Sequence, residues 1–507
     1  MFTIYNTLTN QKEKFKSLHK GKVNFYSCGP TVYDYAHIGN LRTYIFADTI
    51  KRVLEFDGYK VKHIMNITDV GHLTDDDLNQ ADSGDDKMLK AMKRLSAKNL
   101  EDKSQPKADQ QAEKTPETIA KFYTEAFMDD IEKLNLEKAN FYPRATAHIP
   151  QMIKIIEGLL AKGYAYEKNG NVFYDLDKFP AYGKLSNKKL EELKLGARLD
   201  DHPDKKHPYD FALWLKAPKN HILKWDSPWG EGYPGWHIEC TAMSMEYLGE
   251  TLDLHTGGED NIFPHHENEI AQSEAYSEKP FSNYWAHPRH LLIDGKKMSK
   301  SKGNFYRLQD IMDKGYSPMT FRLLVLSAHY RSNLNFTWKG MDQAQKNLEK
   351  ITKFVNRLQK NLPETKKETN LTERSTKTAD NLFTDLHPDE CLEKFSLAVN
   401  DDLNTPLALS IVYRLIGKIN KLPELTPEQA ETLWRWWQRV NKVLGLKIES
   451  KSPTKEKIPQ EIIGLSDKRE TARKDKDFDL ADKLREKILS KGYNLEDTPS
   501  GPLITKK

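Results

Sequence analysis

The sequence predicts an α/β protein: a parallel sheet split by an inserted module, followed by helices. Three observations carry this. KVNFYSCGP, from Lys22, reads as a strand that ends at a Gly-Pro turn. LRTYIFADTIKRVLEFDGY, from Leu41, places Leu41, Ile45, Phe46, Ile50, Val53 and Leu54 at helical spacing before Gly58 stops the helix. YKVKHIMNITDVG then alternates as a second strand, and strand, helix, strand is how a parallel sheet begins. The pattern returns only at TLDLHTGGED, from Thr251, and HLLIDG, from His290.

Between the two halves lie other elements. A polar stretch around 75–115, dominated by Lys, Asp, Gln and Glu, reads as an insertion with partial helix. Mixed helices and turns follow to about residue 225, with DFALWLKAPK as a strand. Helices take over from about 305. A polar linker (360–380) interrupts them before they resume through 389–445. The last segment puts Leu480, Leu484 and Ile488 four apart on one helix face. Trp434, Trp436 and Trp437 could stack on bases, but their helical spacing suits the core of the helical region.

A chain of 507 residues exceeds one compact core, so roughly three or four domains are expected. Charged residues make up 30%, and no apolar run approaches the roughly 18 residues of a membrane span, so a soluble chain with no membrane partner is expected. MFTIYNTLTNQKEKFK lacks the apolar centre of a signal peptide, which places the expected location in the cytoplasm. A net charge of +4 permits a nucleic-acid partner without arguing for one. The tail from Lys451 carries 14 Lys/Arg against 11 Asp/Glu, too balanced to argue from charge.

Cys28, Cys240 and Cys391 are too few for a disulfide framework; each is a small core residue, a metal ligand or a nucleophile. In PHHENEI, Pro264 suits a first helical position, and His265 and Glu269 share one face four residues apart. Cys28 ends a strand, where parallel sheets gather their sites, so Cys28, Cys240, His265 and Glu269 can converge on one ion. Two thiolates, an imidazole and a carboxylate suit zinc better than magnesium or calcium. The plain alternative is two core cysteines and a helix with acids at its positive end.

Two further segments suit phosphate. TVYDYAHIGN sits between strand and helix. There His37 and Asn40 can donate to phosphate oxygens, and Gly39 allows close approach. The alternative is a histidine that caps the helix. GKKMSKSKGN, from Gly295, sets lysines and serines between glycines, as a loop that closes on polyphosphate would; a solvated basic loop is the alternative.

Together these segments resemble the class I aminoacyl-tRNA synthetases, HIGN standing for their HIGH signature and KMSKS being intact. FYSCGPTVYDYAHIGNLRTY, NITDVGH, GYPGWHIECTAMS, TGGEDNIFPHHENE, HYRSNLNFTW, DDLNTP and ARKDKDFDLAD resemble the cysteinyl-tRNA synthetases in particular, nearly end to end and in order. The resemblance implies one zinc per chain on Cys28, Cys240, His265 and Glu269. It implies ATP, with Mg²⁺, held by His37, Gly39, Asn40 and Asp260 and by Lys297 and Lys300 of the mobile loop. It implies an amino-acid pocket lined by Gly29, Thr68 and Trp236. His37, Asn40, Lys297 and Lys300 are the expected catalytic set. Asn40 departs from the signature histidine; an amide keeps a donor but carries no charge. His266 and Glu267 are expected to face elsewhere than the ion, as structural residues or as outer supports of its ligands.

The architecture implied is a Rossmann-like catalytic domain (1–120 and 226–304) split by a connective insertion (121–225). A stem-contact region (305–350), an anticodon-binding helical bundle (351–450) and a small C-terminal anticodon-recognition module (451–507) follow. The implied activity joins L-cysteine to tRNA(Cys) through cysteinyl-adenylate, by a monomer, the substrate thiolate binding the zinc directly. A cysteine ligase with a small-amine acceptor and a non-catalytic RNA-binding paralogue are the rivals. The helical arm beyond Lys350 argues against the first, and the intact motifs against the second.

Overall fold

The structure is a computed structural model that describes residues 1–70, 115–189, 202–219, 221–298, 303–363, 387–448, 459–475, 477–498 and 501–506. Nearly all of the polar stretch around 75–115, most of the 360–380 linker, and Lys300 lie outside the described residues. The chain divides into two compact units, Met1–Ile448 and Glu449–Lys507. Among the described residues no helix is long and apolar enough to cross a membrane.

The first unit opens with a hairpin, β1 (Thr3–Asn6) and β2 (Gln11–Lys14). The main parallel sheet begins with β3 (Lys22–Ser27), crosses through α1 (Ile38–Phe56) and returns as β4 (Lys60–Met65). All six apolar positions read from the helical spacing of α1 are buried. The helix starts three residues earlier than the spacing suggests. His37 caps it in place of the usual Ser, Thr, Asp or Asn, so the ordinary start signal is missing.

The chain then leaves the sheet. It forms α2 (Pro116–Lys133), α3 (Ile149–Ala161) and an antiparallel sheet of β5 (Ala165–Lys168), β6 (Asn171–Tyr174), β7 (Phe211–Lys216) and β8 (Gly232–Pro234), in that order. It comes back through α4 (Trp236–Leu248), β9 (Leu252–Thr256), α5 (Glu267–Ser277) and β10 (Ser282–Ala286). The finished sheet runs β10-β9-β3-β4, all parallel. β3 and β9 therefore lie side by side at its centre, where a parallel sheet opens a crevice at its carboxyl edge.

A second small sheet, β11 (Leu291–Ile293), β12 (Lys296–Lys297) and β13 (Leu334–Phe336), carries the start of the KMSKS loop. Two short helices, α6 (Leu308–Asp313) and α7 (Pro318–Leu326), separate β12 from β13. Helices α8 (Trp338–Asn361), α9 (Pro388–Asn400), α10 (Thr405–Ile419) and α11 (Pro427–Leu444) make the bundle. Its core is continuous with that of the main parallel sheet. Trp436 and Trp437 are buried there and meet Phe354 edge-on, so they pack rather than stack on bases.

The second unit pairs α12 (Gln460–Lys474) with α13 (Phe478–Ser490) and ends in a hairpin, β14 (Tyr493–Thr498) and β15 (Gly501–Lys506). Here the predicted apolar face needs correction. Ile488 is buried, but Leu480 is 46% exposed and Ala481 is the buried residue of the first turn. A spacing of seven, Ala481 to Ile488, keeps one face toward the core; the row of fours drifts off it.

Candidate metal centre and nucleotide cavity

The end of β3, the middle of α4 and the start of α5 converge at the sheet's carboxyl edge. Cys28 continues the β3 ladder by donating its N–H to Thr256 O. Cys240 lies on α4. Pro264 does not open the regular helix as its position suggests: Ile262–His266 form an irregular turn, Phe263 is non-helical, and α5 proper begins at Glu267. His265 and Glu269 nonetheless stay on one face.

One donor atom each from Cys28, Cys240, His265 and Glu269 lies within 4.8 Å of the other three, and all four residues are buried. His265 Nε2 is 2.8 Å from Glu269 Oε1 and 3.5 Å from Cys240 Sγ, and Cys28 Sγ is 4.0 Å from Glu269 Oε1. Burial opposes charge on His265, yet Glu269 and Cys240 beside it raise the imidazole to about 10. Burial also opposes ionisation of Glu269, but His255 and His265 pull it down to about 2. Its hydrogen bond to Cys28, burial and Glu269 push the Cys240 thiol well above its ordinary value. The cluster is thus a buried, donor-rich pocket that gathers protons where one cation would serve all four groups. Its sulfur, nitrogen and oxygen set fits zinc.

Cys28, His255, His266 and Glu269 form a second overlapping set. The first fits a metal better, because the second set's histidines act as its supports. His255 Nε2 engages the other carboxylate oxygen, Glu269 Oε2, at 2.7 Å. His237 Nδ1 meets His265 Nδ1 at 2.8 Å. Metal ligands are oriented by such outer contacts. His266 takes the supporting role left open for it: its Nε2 is 3.2 Å from Cys28 Sγ, and its Nδ1 reaches His287 Nε2 at 2.8 Å. Glu267 does turn away, its carboxylate accepting from the N–H groups of Gly183 and Ser186. His237, His255 and His287 were missed in the sequence. Lone histidines on strands and helices carry no spacing signal.

Next to the donors lies a cavity of about 280 Å³, lined among others by Cys28, Gly29, His37, Gly39, Asn40, Asp260 and Lys297. His37 Nδ1 accepts from Asn40 N at 3.1 Å, while Asn40 Oδ1 accepts from His37 N at 3.2 Å. This is a capping box. It makes sense of asparagine at this position: the side chain closes the helix start with its oxygen and leaves the NH₂ for a ligand. An accepting Nδ1 also assigns the ring hydrogen to Nε2, a donor. A Cβ on Gly39 would stand 2.8 Å from His37 Cε1. Gly39→Ala is therefore expected to push the imidazole aside and slow the adenylate formation that the resemblance implies about tenfold or more, with metal content unchanged. Pyrophosphate exchange and metal analysis on one sample check this.

Gly29 has a similar constraint, since a Cβ there would meet Asn66 O at 1.8 Å. Lys297 Nζ pairs with Asp260 Oδ1 at 3.1 Å, and His290 Nδ1 is 3.4 Å from Asp260 Oδ2. Thr68 and Trp236 are not among the cavity's lining residues. Thr68 Oγ1 donates to Glu239 Oε2 in the buried layer, and the Trp236 ring lies 4.5 Å from that of His265.

Residues 14–346 match the family model for the class I (C) tRNA synthetase catalytic domain, and residues 394–449 match the DALR domain. The chain is 44% identical to a cysteine–tRNA ligase of Treponema denticola, over 97% of each chain. It is 43% identical to one of Chlamydia felis, over 99% of this chain and 97% of the relative. The chain belongs to the cysteine–tRNA ligase family. Methionyl-tRNA synthetase of Mycobacterium tuberculosis, solved with methionyl-adenylate, shares the fold at a TM-score of 0.55. That match has 14% identity and covers 83% of this chain and 90% of that one. Within the cysteine–tRNA ligase fold, the donor cluster and the HIGN cavity sit against one another, joined by Cys28.

Proposed function

We propose that this chain activates L-cysteine with ATP and transfers it to the terminal adenosine of tRNA(Cys), with zinc on Cys28, Cys240, His265 and Glu269 reading the substrate thiol. The adjacency of a buried two-cysteine, histidine and glutamate cluster to the HIGN cavity carries this reading. Bound zinc supplies a centre that prefers a thiolate to a hydroxyl, which is what separates cysteine from serine.

The remaining work falls to the chain. In-line attack of a carboxylate on the α-phosphate of ATP needs positioning and charge neutralisation. His37 Nε2–H and the start of α1 face the cavity where the phosphates would lie. Lys297, now paired with Asp260, is the cation that can swing onto them, with Mg²⁺ accompanying ATP. Asn40 orients through its NH₂. Glu269 is a ligand in this scheme, not a base, since His255 and His265 hold it ionised. Trp236 beside His265 and Gly29 at the cavity wall bound the amino-acid side. By class analogy the first acceptor is the 2′-hydroxyl. The C-terminal module and the bundle are the anticodon side of a monomer acting in the cytoplasm.

Transfer of labelled cysteine onto total tRNA, with ATP and Mg²⁺, tests the reading. Charging is the expected result. Charging of small amines alone, or adenylate with no acceptor, would move the chain to another ligase class.

A further inference from the structure

Joining an amino acid to tRNA needs two distant parts of the first unit in fixed register: the adenylate cavity and the helical bundle. DDLNTP, between α9 and α10, lies where they meet. Asp402 is 1% exposed, yet every lone-pair direction used is answered from the catalytic side. Its Oδ1 accepts from Tyr5 N at 2.8 Å and from Tyr330 Oη at 2.5 Å. Its Oδ2 accepts from Arg331 Nε at 2.7 Å, and its own N–H donates to Thr3 O at 3.0 Å. The Arg331 guanidinium is also held over the Tyr5 ring at 4.6 Å.

The backbone here is strained. Asp402 and Leu403 have φ of 57° and 55°, the left-handed region, and Leu403 is buried in the core. Neither is glycine, so the surroundings must hold the turn in this form. The bonds to Asp402 do so.

The two catalytic-side segments that hold Asp402, one bearing Tyr330 and Arg331 and the other Tyr5, are each anchored near the sites of chemistry by contacts that do not involve Asp402. The loop bearing Tyr330 and Arg331 is gripped from the other side by Arg42 of α1, two residues beyond Asn40. Arg42 donates to Tyr330 O, Ser332 O and His290 O. His290 lines the nucleotide cavity. The hairpin bearing Tyr5 continues to Thr7, whose hydroxyl meets His287 Nδ1 at 2.8 Å, and His287 meets His266 beside Cys28.

We propose that Asp402 is a positioning residue for the tRNA-dependent step: its buried carboxylate fixes the bundle on the catalytic domain in the register that brings the acceptor end to the adenylate. The inference rests on the reading of this chain as a tRNA ligase. The size of the effect follows from leverage. Helix α10, which starts three residues beyond Asp402, has 15 residues and is therefore about 22 Å long, so a tilt of about 1–2° at one end moves the other by about 0.4–0.8 Å. Misplacement of reacting groups by about 1 Å already costs about 10²-fold. Adenylate formation, which uses only the catalytic side, does not feel the tilt.

The test uses full-length Asp402→Asn and Tyr330→Phe, the second removing a single hydrogen bond in case the first fails to fold. Cysteine-dependent ATP–pyrophosphate exchange and steady-state charging of a tRNA(Cys) transcript are measured together. Expected are exchange within about twofold of the parent and KM for tRNA within about threefold. With these, kcat for charging falls about tenfold in Asp402→Asn and about threefold in Tyr330→Phe. Exchange and charging that fall in step would reduce Asp402 to a general structural role and overturn the proposal, as would unchanged charging or a rise in KM alone. If the parent chain itself does not charge tRNA, the ligase reading fails instead, and the exchange assay separates the two failures.

Discussion

Cys240→Ser is expected to strip the chain of zinc and lower cysteine activation by at least about 10²-fold. Changes to groups that merely orient metal ligands cost about 10–100-fold in affinity or activity, and Cys240 is itself a donor, so the loss should be no smaller. It is 2% exposed, 3.5 Å from His265 Nε2, in a pocket where a serine hydroxyl would stay protonated and bind weakly. Selectivity should fall as well. An apolar pocket separates near-isosteres by only about 10–200-fold, so the preference for cysteine over serine should drop toward that range. Metal analysis and pyrophosphate exchange with each amino acid decide the matter. A variant with full zinc and unaltered selectivity would falsify the metal-reading mechanism.

Arg322→Met is expected to destabilise the first unit by about 3–5 kcal/mol, the usual result of removing one partner from a buried ion pair. Asp48 on α1 and Arg322 on α7 are both almost wholly buried. Asp48 Oδ2 accepts from Arg322 Nη2 at 2.5 Å and from Arg52 Nε at 2.8 Å, and its Oδ1 accepts from Glu137 N. The two arginines also satisfy the open end of α11: Arg322 Nε donates to Leu444 O, and Arg52 Nη1 to Lys442 O. Methionine fills the volume but leaves Asp48 short of charge and Leu444 O without its donor. Adding Asp48→Asn should recover part of the loss, since it removes a buried carboxylate left with Arg52 as its remaining charged partner. Urea titration followed by tryptophan fluorescence gives the values. A loss below about 1 kcal/mol would show that water replaces the guanidinium freely.

Much of this was legible in the sequence, for identifiable reasons. The strands β3 and β4 and helix α1 obey clear periods, so apolar spacing located them. The candidate donors stood out because cysteines are few and because His265 and Glu269 keep a helical spacing that survives the irregular turn at Phe263; the family resemblance, not the spacing, chose zinc over two core cysteines. What supports the donors was not legible. His237, His255 and His287 come from three separate elements, and only the closed sheet brings them to one place. Asn40 reads as a tolerated departure, but its part in closing the helix start was not legible, because the capping box needs His37, a residue absent from the usual cap list. Leu480 misled because a row of fours and a row of sevens both count as helical. Asp402 and Arg42 were invisible as a joint, since their side-chain partners lie 71 to 397 residues away along the chain.

The split sheet also sets the order in which the protein can be made. Phe25 on β3 pairs with Leu254 on β9, a separation of 229 residues, while its other neighbour, His63, is only 38 away. At roughly 5–20 residues per second, the ribosome needs roughly 10–50 s to deliver β9 after β3 has emerged. Throughout that interval the nascent strand VNFY has one unpaired, apolar edge, the kind that recruits other strands. Closing so long a loop is a slow step by its entropy alone. The insertion that folds in the meantime therefore acts during synthesis as a spacer holding the sheet half-built. Yield in cells should depend on chaperone capacity more than the final stability of the sheet suggests.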